Sequence, residues 1–245
     1  MRSRFAALFA IAAALAFPGR TVAAAQADSA HLKSVLAQMD AASANFTSAQ
    51  ADLRQEYFTK VVHDTETQSG QIYFLRKAGS TQMGMKLFPP DTQPGAAPSQ
   101  VVEFNGNTLR LFNPGTNQID EFAATGKNQA TAETVMTLGF GGSGRDLEKS
   151  WTITDQGSEP IKDGNRTVQT EKLDLVSKDQ TIRNNFSHIT IWVDPVRDIS
   201  LKQVSYNAPT GDTRTVFYTN IRLNQPVKTD AFAIKCKGKC TVTQH

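Results

Sequence analysis

The chain has 245 residues, 39% of them hydrophobic and 20% charged, with 26 Lys and Arg against 23 Asp and Glu. With no long basic run, that balance speaks against nucleic acid as a partner and against docking on anionic lipid by charge alone. Arg2, Arg4 and Arg20 fall in the first 25 residues, which hold no acid, so the remainder carries 23 basic and 23 acidic residues and the pI of 8.8 owes much to this segment.

That segment reads as a signal peptide. Arg2 and Arg4 form a positive n-region, Phe5 to Phe17 is uncharged and apolar, and Ala23, Ala24 and Ala25 offer a small-residue cleavage site. An apolar run of about 13 residues is short for an uncleaved anchor, which is the rival reading. No cysteine follows the run, so the chain is not expected to be a lipoprotein itself. Residues 26–245 are then one domain, large enough for a substantial core.

Leu32, Val35, Leu36 and Met39 form one stripe of a helix over Ser29–Ala42, with Ser29 placed to cap it. After Phe46 the period changes to two. Strands are predicted at Ala49–Lys60, Thr65–Arg76, Gly79–Phe88, Gln100–Asn105, Thr108–Asn113 and Gln118–Ala123. A helical insert over Ala130–Leu138, ended by Gly139, and a short turn over Asp146–Ser150 follow. Five more strands are predicted at Trp151–Gly157, Thr167–Ser177, Phe186–Asp194, Ile199–Asn207 and Arg214–Leu223, with a short piece at Phe232–Lys235. Turn residues such as Asn105-Gly106-Asn107 and Asp163-Gly164-Asn165 make consecutive strands hairpins, and Pro89–Pro98 reads as an exposed loop. About eleven antiparallel strands curl toward a barrel, and helices covering it enclose either packed core or a cavity.

The only cysteines, Cys236 and Cys240, read as a disulfide in an exported chain. Their Cα atoms must approach to roughly 4.4–6.8 Å where four extended steps would span about 13 Å, and Gly238 permits the turn. A metal is the rival, but two thiolates with no nearby histidine make a poor site.

Little points to catalysis. His31, His63, His188 and His245 are scattered, without metal-ligand spacing. The stretch Gly139–Gly144 trails a helix, lacks the lysine of a phosphate loop and misses the last glycine of a nucleophile elbow, so it reads as a flexible hinge. No enzyme, metal or cofactor is expected.

Four segments, in order, resemble a known family. Leu32–Thr47, with Asn45-Phe46-Thr47, is similar to the N-terminal helix and first-strand opening of the outer-membrane lipoprotein carrier family, LolA. Gly70-Gln-Ile-Tyr-Phe-Leu-Arg76 resembles its Gly-x-Leu-x-x-x-Arg strand, and Gly106 to Pro114, followed by Gln118, its Gly-x-Thr-Leu-Trp-x-Tyr-x-Pro segment. Gly211 to Phe232, with Asn220 and Asn224, is similar to its closing strand and tail. The resemblance implies a mainly β fold, an unclosed barrel under a helical lid, with an apolar cavity for lipoprotein acyl chains. It implies a soluble, monomeric periplasmic carrier that takes acylated lipoproteins from an inner-membrane ABC transporter to an outer-membrane acceptor. It also implies that Arg76 bonds lid backbone as a latch. The chain departs from the pattern at Lys77, where the family has proline, and at Arg110, where it has tryptophan; Pro89–Pro98 and the cysteine loop are additions.

Alternation alone selects the residues that would line such a cavity. Ile72 shares a face with Phe74 and Met83 with Met85; Phe104 and Leu111 join them, with Met136 on the helical insert. Flexible thioethers suit an adaptable wall, and they also suit an ordinary core. An arginine on so apolar a strand needs acceptors if it is buried. The alternative on the same half-barrel is a lipid-binding or envelope-stress sensor module.

Overall fold

The structure, a computed structural model, describes residues 20–77, 80–90, 92, 95–123, 135 and 138–245, and only the backbone of residues 20–28. Helix α1 (Arg20–Ser43) leads into strands β1 (Ser48–Thr59), β2 (Asp64–Lys77), β3 (Ser80–Phe88), β4 (Gln100–Phe104), β5 (Thr108–Asn113) and β6 (Gln118–Ala123). After α2 (Gly144–Ser150) come β7 (Trp151–Asp163), β8 (Arg166–Ser177), α3 (Gln180–Asn185), β9 (Phe186–Asp194), β10 (Ile199–Asn207) and β11 (Thr213–Leu223). A 3₁₀ turn (Thr229–Phe232) and β12 (Thr241–Gln244) close the chain. The twelve strands make one sheet in the order β12-β6-β5-β4-β3-β2-β1-β11-β10-β9-β8-β7, with β12 and β7 left as free edges. The barrel is therefore unclosed.

Eleven of these strands follow the predicted ones, and the differences have simple causes. Strand β7 runs on to Asp163 because Ser158–Asp163 pairs with β8 through a polar stretch that carries no apolar alternation. Helix α3 holds only one buried residue, Ile182, too few for a visible stripe, and is started by the Asp179 side chain accepting from the Thr181 amide. The expected piece at Phe232–Lys235 is instead the end of the 3₁₀ turn, and β12 pairs parallel to β6, an exception in an antiparallel sheet. The helical insert expected at Ala130–Leu138, with Met136, lies almost wholly outside the described residues.

One face of the sheet is apolar and concave, the other mostly polar. Ala49, Ala51 and Leu53 point inward from β1 while Gln50, Asp52 and Arg54 point out, and register carries this alternation from strand to strand. The concave face holds two apolar groups. Over β7–β9 it is filled by α1, whose Val35, Leu36 and Met39 pack with Leu147, Trp151, Leu173 and Ile191. Over β1–β5 it carries Ile72, Phe74, Met83, Val102 and Phe104, with Phe46 and Phe140 laid on them.

On the convex face, Lys172, Trp192, Lys202, Phe217 and Arg54 are cross-strand neighbours on five successive strands. Each cation stands 4.1–5.6 Å from an adjoining ring centroid, a ladder contributing about 0.5–1 kcal/mol per contact. The tail covers the convex side of β2–β6. Phe232 meets the Tyr73 ring edge-on at 4.8 Å, and a Cβ on Gly84 would lie 2.2 Å from that ring, which accounts for a glycine between two methionines. Cys236 and Cys240 are bonded, and Asn117 holds their loop: its Nδ2 donates to the carbonyls of Lys237 and Lys239, and its Oδ1 accepts from the Lys237 amide.

Bridging cysteines only four positions apart removes little chain entropy, about 2 kcal/mol at most. Reduction should therefore release β12 and its loop, raising hydrogen exchange from Thr241 to Gln244, while the urea midpoint of the rest shifts slightly. A global loss of cooperative unfolding on reduction would contradict this.

Candidate functional site

The residues selected by alternation meet on one surface. Register places Ile72 opposite Met85 and Phe74 opposite Met83, then Met83 opposite Phe104 and Met85 opposite Val102, which faces Leu111. Ile72, Phe74, Met83 and Phe104 are buried; Met85 and Leu111 are partly so, on the margin of the group. Met136 lies outside the described residues.

What covers this face is the segment after Leu138. Phe140, 1% exposed, stacks on Phe74 with centroids 4.1 Å apart and meets Tyr218 edge-on at 4.9 Å. Residues 139–141 run beside the start of β10: Ser200 N donates to the Gly139 carbonyl (2.7 Å), Gly141 N to the Asp198 carbonyl (3.1 Å), and Gln203 Nε2 to the Leu138 carbonyl (2.6 Å). The glycine stretch read as a hinge is thus stitched to the sheet. Gly141 has φ +74°, and a Cβ there would come 2.3 Å from the Phe46 ring, so only glycine fits.

Arg76 ties three elements together. Its Nη1 donates to the carbonyls of Ser43 (2.7 Å), at the end of α1, and Phe46 (3.2 Å), at the approach to β1. Its Nη2 donates to the Gly141 carbonyl, which also accepts from Ser43 Oγ at 2.7 Å. The guanidinium lies over the Phe46 ring at 5.3 Å. The corner it grips is held from the other side by Asn224, whose Oδ1 accepts from the Thr47 amide and hydroxyl and whose Nδ2 donates to the Asn45 carbonyl. Helix α2 completes the cover. Ser143 caps it, Gly144 sits against the Leu36 carbonyl, and Arg145 Nε pairs with Asp40 at 3.1 Å.

Two ionisable groups sit under this cover. Burial pushes the Tyr218 hydroxyl up to about 12. Asp198 is 0% exposed at φ +54°, and among the described residues both its carboxylate oxygens are without a hydrogen-bond partner. Burial pushes its carboxyl up to about 8, the nearby Arg76 charge drawing it down and Asp40 pushing it further up. Chain position gave no sign of Phe140 or Asp198 as parts of the site. Asp198 follows Asp194-Pro195-Val196-Arg197, which reads as an ordinary solvated turn.

Elsewhere, a cleft of about 400 Å³ lies between the tail and the outer faces of β1, β2 and β11, lined by Gln50, Asp52, Gln71, Arg222, Lys228 and Phe232. Its walls are mixed, with Pro226 and Ala231 beside these polar groups. Among the described residues no three His, Cys, Asp or Glu side chains gather as metal ligands, and no helix is long and apolar enough to cross a membrane.

No protein-family model matches the chain, and no curated protein matches it. Solved structures do. An uncharacterized conserved protein from Thermus thermophilus is similar at 11% identity and TM-score 0.52, over 88% of this chain and 99% of that one. A LolA superfamily protein from Nitrosomonas europaea is similar at 14% identity and TM-score 0.39, over 83% and 97%. Pseudomonas aeruginosa MucB, solved with MucA, is similar at 12% identity and TM-score 0.45, over 84% and 62%. At these identities the likeness is one of fold: the chain is a mainly β, open half-barrel with an N-terminal helix on its concave face.

Gly141→Ala should destabilise the protein by about 1–3 kcal/mol, since it adds a strained left-handed residue and a clash with Phe46. Gly142→Ala, where a Cβ meets open space, should cost under about 1 kcal/mol. Urea unfolding of the two variants checks this, and equal costs would count against the packing described.

Proposed function

We propose that this protein is a periplasmic carrier that binds the acyl chains of lipoproteins on the concave face of β1–β5 and shuttles them from the inner to the outer membrane. One observation carries the reading: the apolar face is closed by a segment fastened by hydrogen bonds, to Ser200, Asp198, Gln203, Ser43 and Arg76, of which Arg76 also grips the end of α1 and the approach to β1. A plain core needs no such clasp.

Apolar burial at roughly 0.8 kcal/mol per CH₂ would supply the affinity. An acyl chain would enter where Phe140 now lies and line up along Ile72, Phe74, Met83, Met85, Phe104 and Leu111, with Met136 on the moving cover. Arg76 would be the latch of the empty state. Its bonds compete with cargo, so the carrier can give its load up. No covalent step is required, and the monomer would need only a transporter to load it and an acceptor to unload it. With charge near zero outside the leader, binding should respond weakly to salt.

Three outcomes follow from this reading. Purified protein should extract labelled lipoprotein from energised inner-membrane vesicles and pass it to outer-membrane vesicles. Arg76→Leu should still capture but release poorly, because the empty closed state loses its stabilising bonds. Met85→Lys should cut binding of a fluorescent acyl probe at least tenfold at modest cost in stability, whereas Leu173→Lys, in the half filled by α1, should cost several kcal/mol. If no lipoprotein or lipid is extracted under any energised condition, a sensor module replaces the carrier.

A further inference from the structure

Asp198 is the polar group the latch does not use. Its backbone carbonyl holds the cover by accepting from the Gly141 amide, and Gly141 in turn holds Arg76 through its own carbonyl. Its side chain is fully buried where that segment meets the sheet, with neither oxygen paired among the described residues. An ionised carboxylate in such a place is strongly disfavoured, and a neutral one loses far less.

The charged groups around it do not satisfy it. From β2, Arg76 supplies the nearby positive charge, yet its hydrogen bonds go to the carbonyls of Ser43, Phe46 and Gly141 and to Ser43 Oγ. From α1, Asp40 supplies a negative charge and is itself paired with Arg145. On its own turn, Arg197 pairs with Asp194 through Nε and with Asp163 through Nη1, its Nη2 being buried without a partner among the described residues, and Asp194 also accepts from the Val196 amide.

We infer that Asp198 couples opening of the cover to loss of a proton: the carboxyl is neutral while Phe140 and Gly141 lie over it, and it ionises and takes over the Arg76 guanidinium when they lift away. The switch is one of partners. In the closed state Arg76 bonds three backbone carbonyls above an uncharged Asp198. In the open state the Gly141 carbonyl has moved, water reaches Asp198, and the carboxylate replaces that acceptor while the bonds to Ser43 and Phe46 stay, so the arginine is not left short of a partner in either state.

The direction with pH is fixed by linkage. The closed state holds the proton more tightly, its carboxyl titrating at about 8 against an ordinary carboxylate value once exposed. Between those two values, each unit rise in pH favours opening by about tenfold, and each unit fall favours closure by the same factor. Below the ordinary carboxylate range and above about 8 the dependence vanishes.

The inference deepens the carrier reading, but its test uses no ligand, so the two fail separately. Spin labels at Gly142→Cys, a site open to solvent, and at the exposed Gln71→Cys on the outer face of β2 would report the distance from cover to sheet from pH 5 to 9. The labelled protein should shift from a short to a long distance as pH rises, while Asp198→Asn, neutral and of the same shape, should stay short throughout. In the otherwise unaltered chain, carboxyl-carbon NMR should show one aspartate titrating well above the usual range, and that signal should be missing in Asp198→Asn. The proposal is overturned if the distance ignores pH, if the Asn variant keeps the dependence, or if Asp198 titrates as an ordinary carboxylate. Extraction of lipoprotein would be unaffected as evidence by any of these results.

Discussion

The guanidinium of Arg76 is the point on which the rest of the structure depends. A half-buried cation with five donors needs acceptors, and here it finds them in backbone carbonyls at Ser43, Phe46 and Gly141. Those three positions belong to the end of α1, the turn into β1 and the segment covering the sheet. One side chain on β2 thereby fixes how the helix enters, where the first strand starts and how the cover lies. Asn224 braces the same corner from the end of β11, so the junction is gripped from two strands that flank β1.

The need for a cover comes from the sheet. Twelve strands with two free edges cannot bury their concave face against themselves, and an exposed apolar surface of that extent would drive aggregation. The two halves solve this differently. Over β7–β9 the cover is a helix packed by side chains distributed along about two turns, a many-contact solution that resists opening. Over β1–β5 it is, among the described residues, Phe46 and Phe140, the latter on a glycine-flanked segment held by hydrogen bonds. Hydrogen bonds to backbone can be exchanged for others, whereas a packed helix face cannot be lifted without exposing all of it. The asymmetry locates the part of the molecule that can change.

The electrostatics follow from the same closure. The segment that seals Phe74 also bonds the Asp198 backbone, and there a carboxyl is buried near a cation whose bonds go elsewhere. A buried unpaired carboxyl opposes stability, and its survival here belongs with the strained, left-handed backbone at Asp198 itself, φ +54°. Strain, an orphaned carboxyl and a polar clasp all gather within a few residues of one contact, Phe140 on Phe74.

The sequence by itself determined the strands and their faces, because period-two alternation is a local property: Ile72 with Phe74 and Met83 with Met85 share a side in any register that buries them. It determined the stripe of α1 for the same reason, and the cysteine loop because a four-residue separation leaves one turn to make. It was silent where structure is held by backbone and polar pairing, as in the run of β7 beyond Gly157, helix α3 and β12, since these elements bury almost no side chains. Arg76 could be seen to need acceptors, but backbone carbonyls are identical at every residue, so only the tertiary structure could say which ones it met. Likewise Asp198 looks like any turn aspartate until the covering segment is laid over it, because burial is conferred by residues some sixty positions away that leave no mark on its own surroundings in the chain.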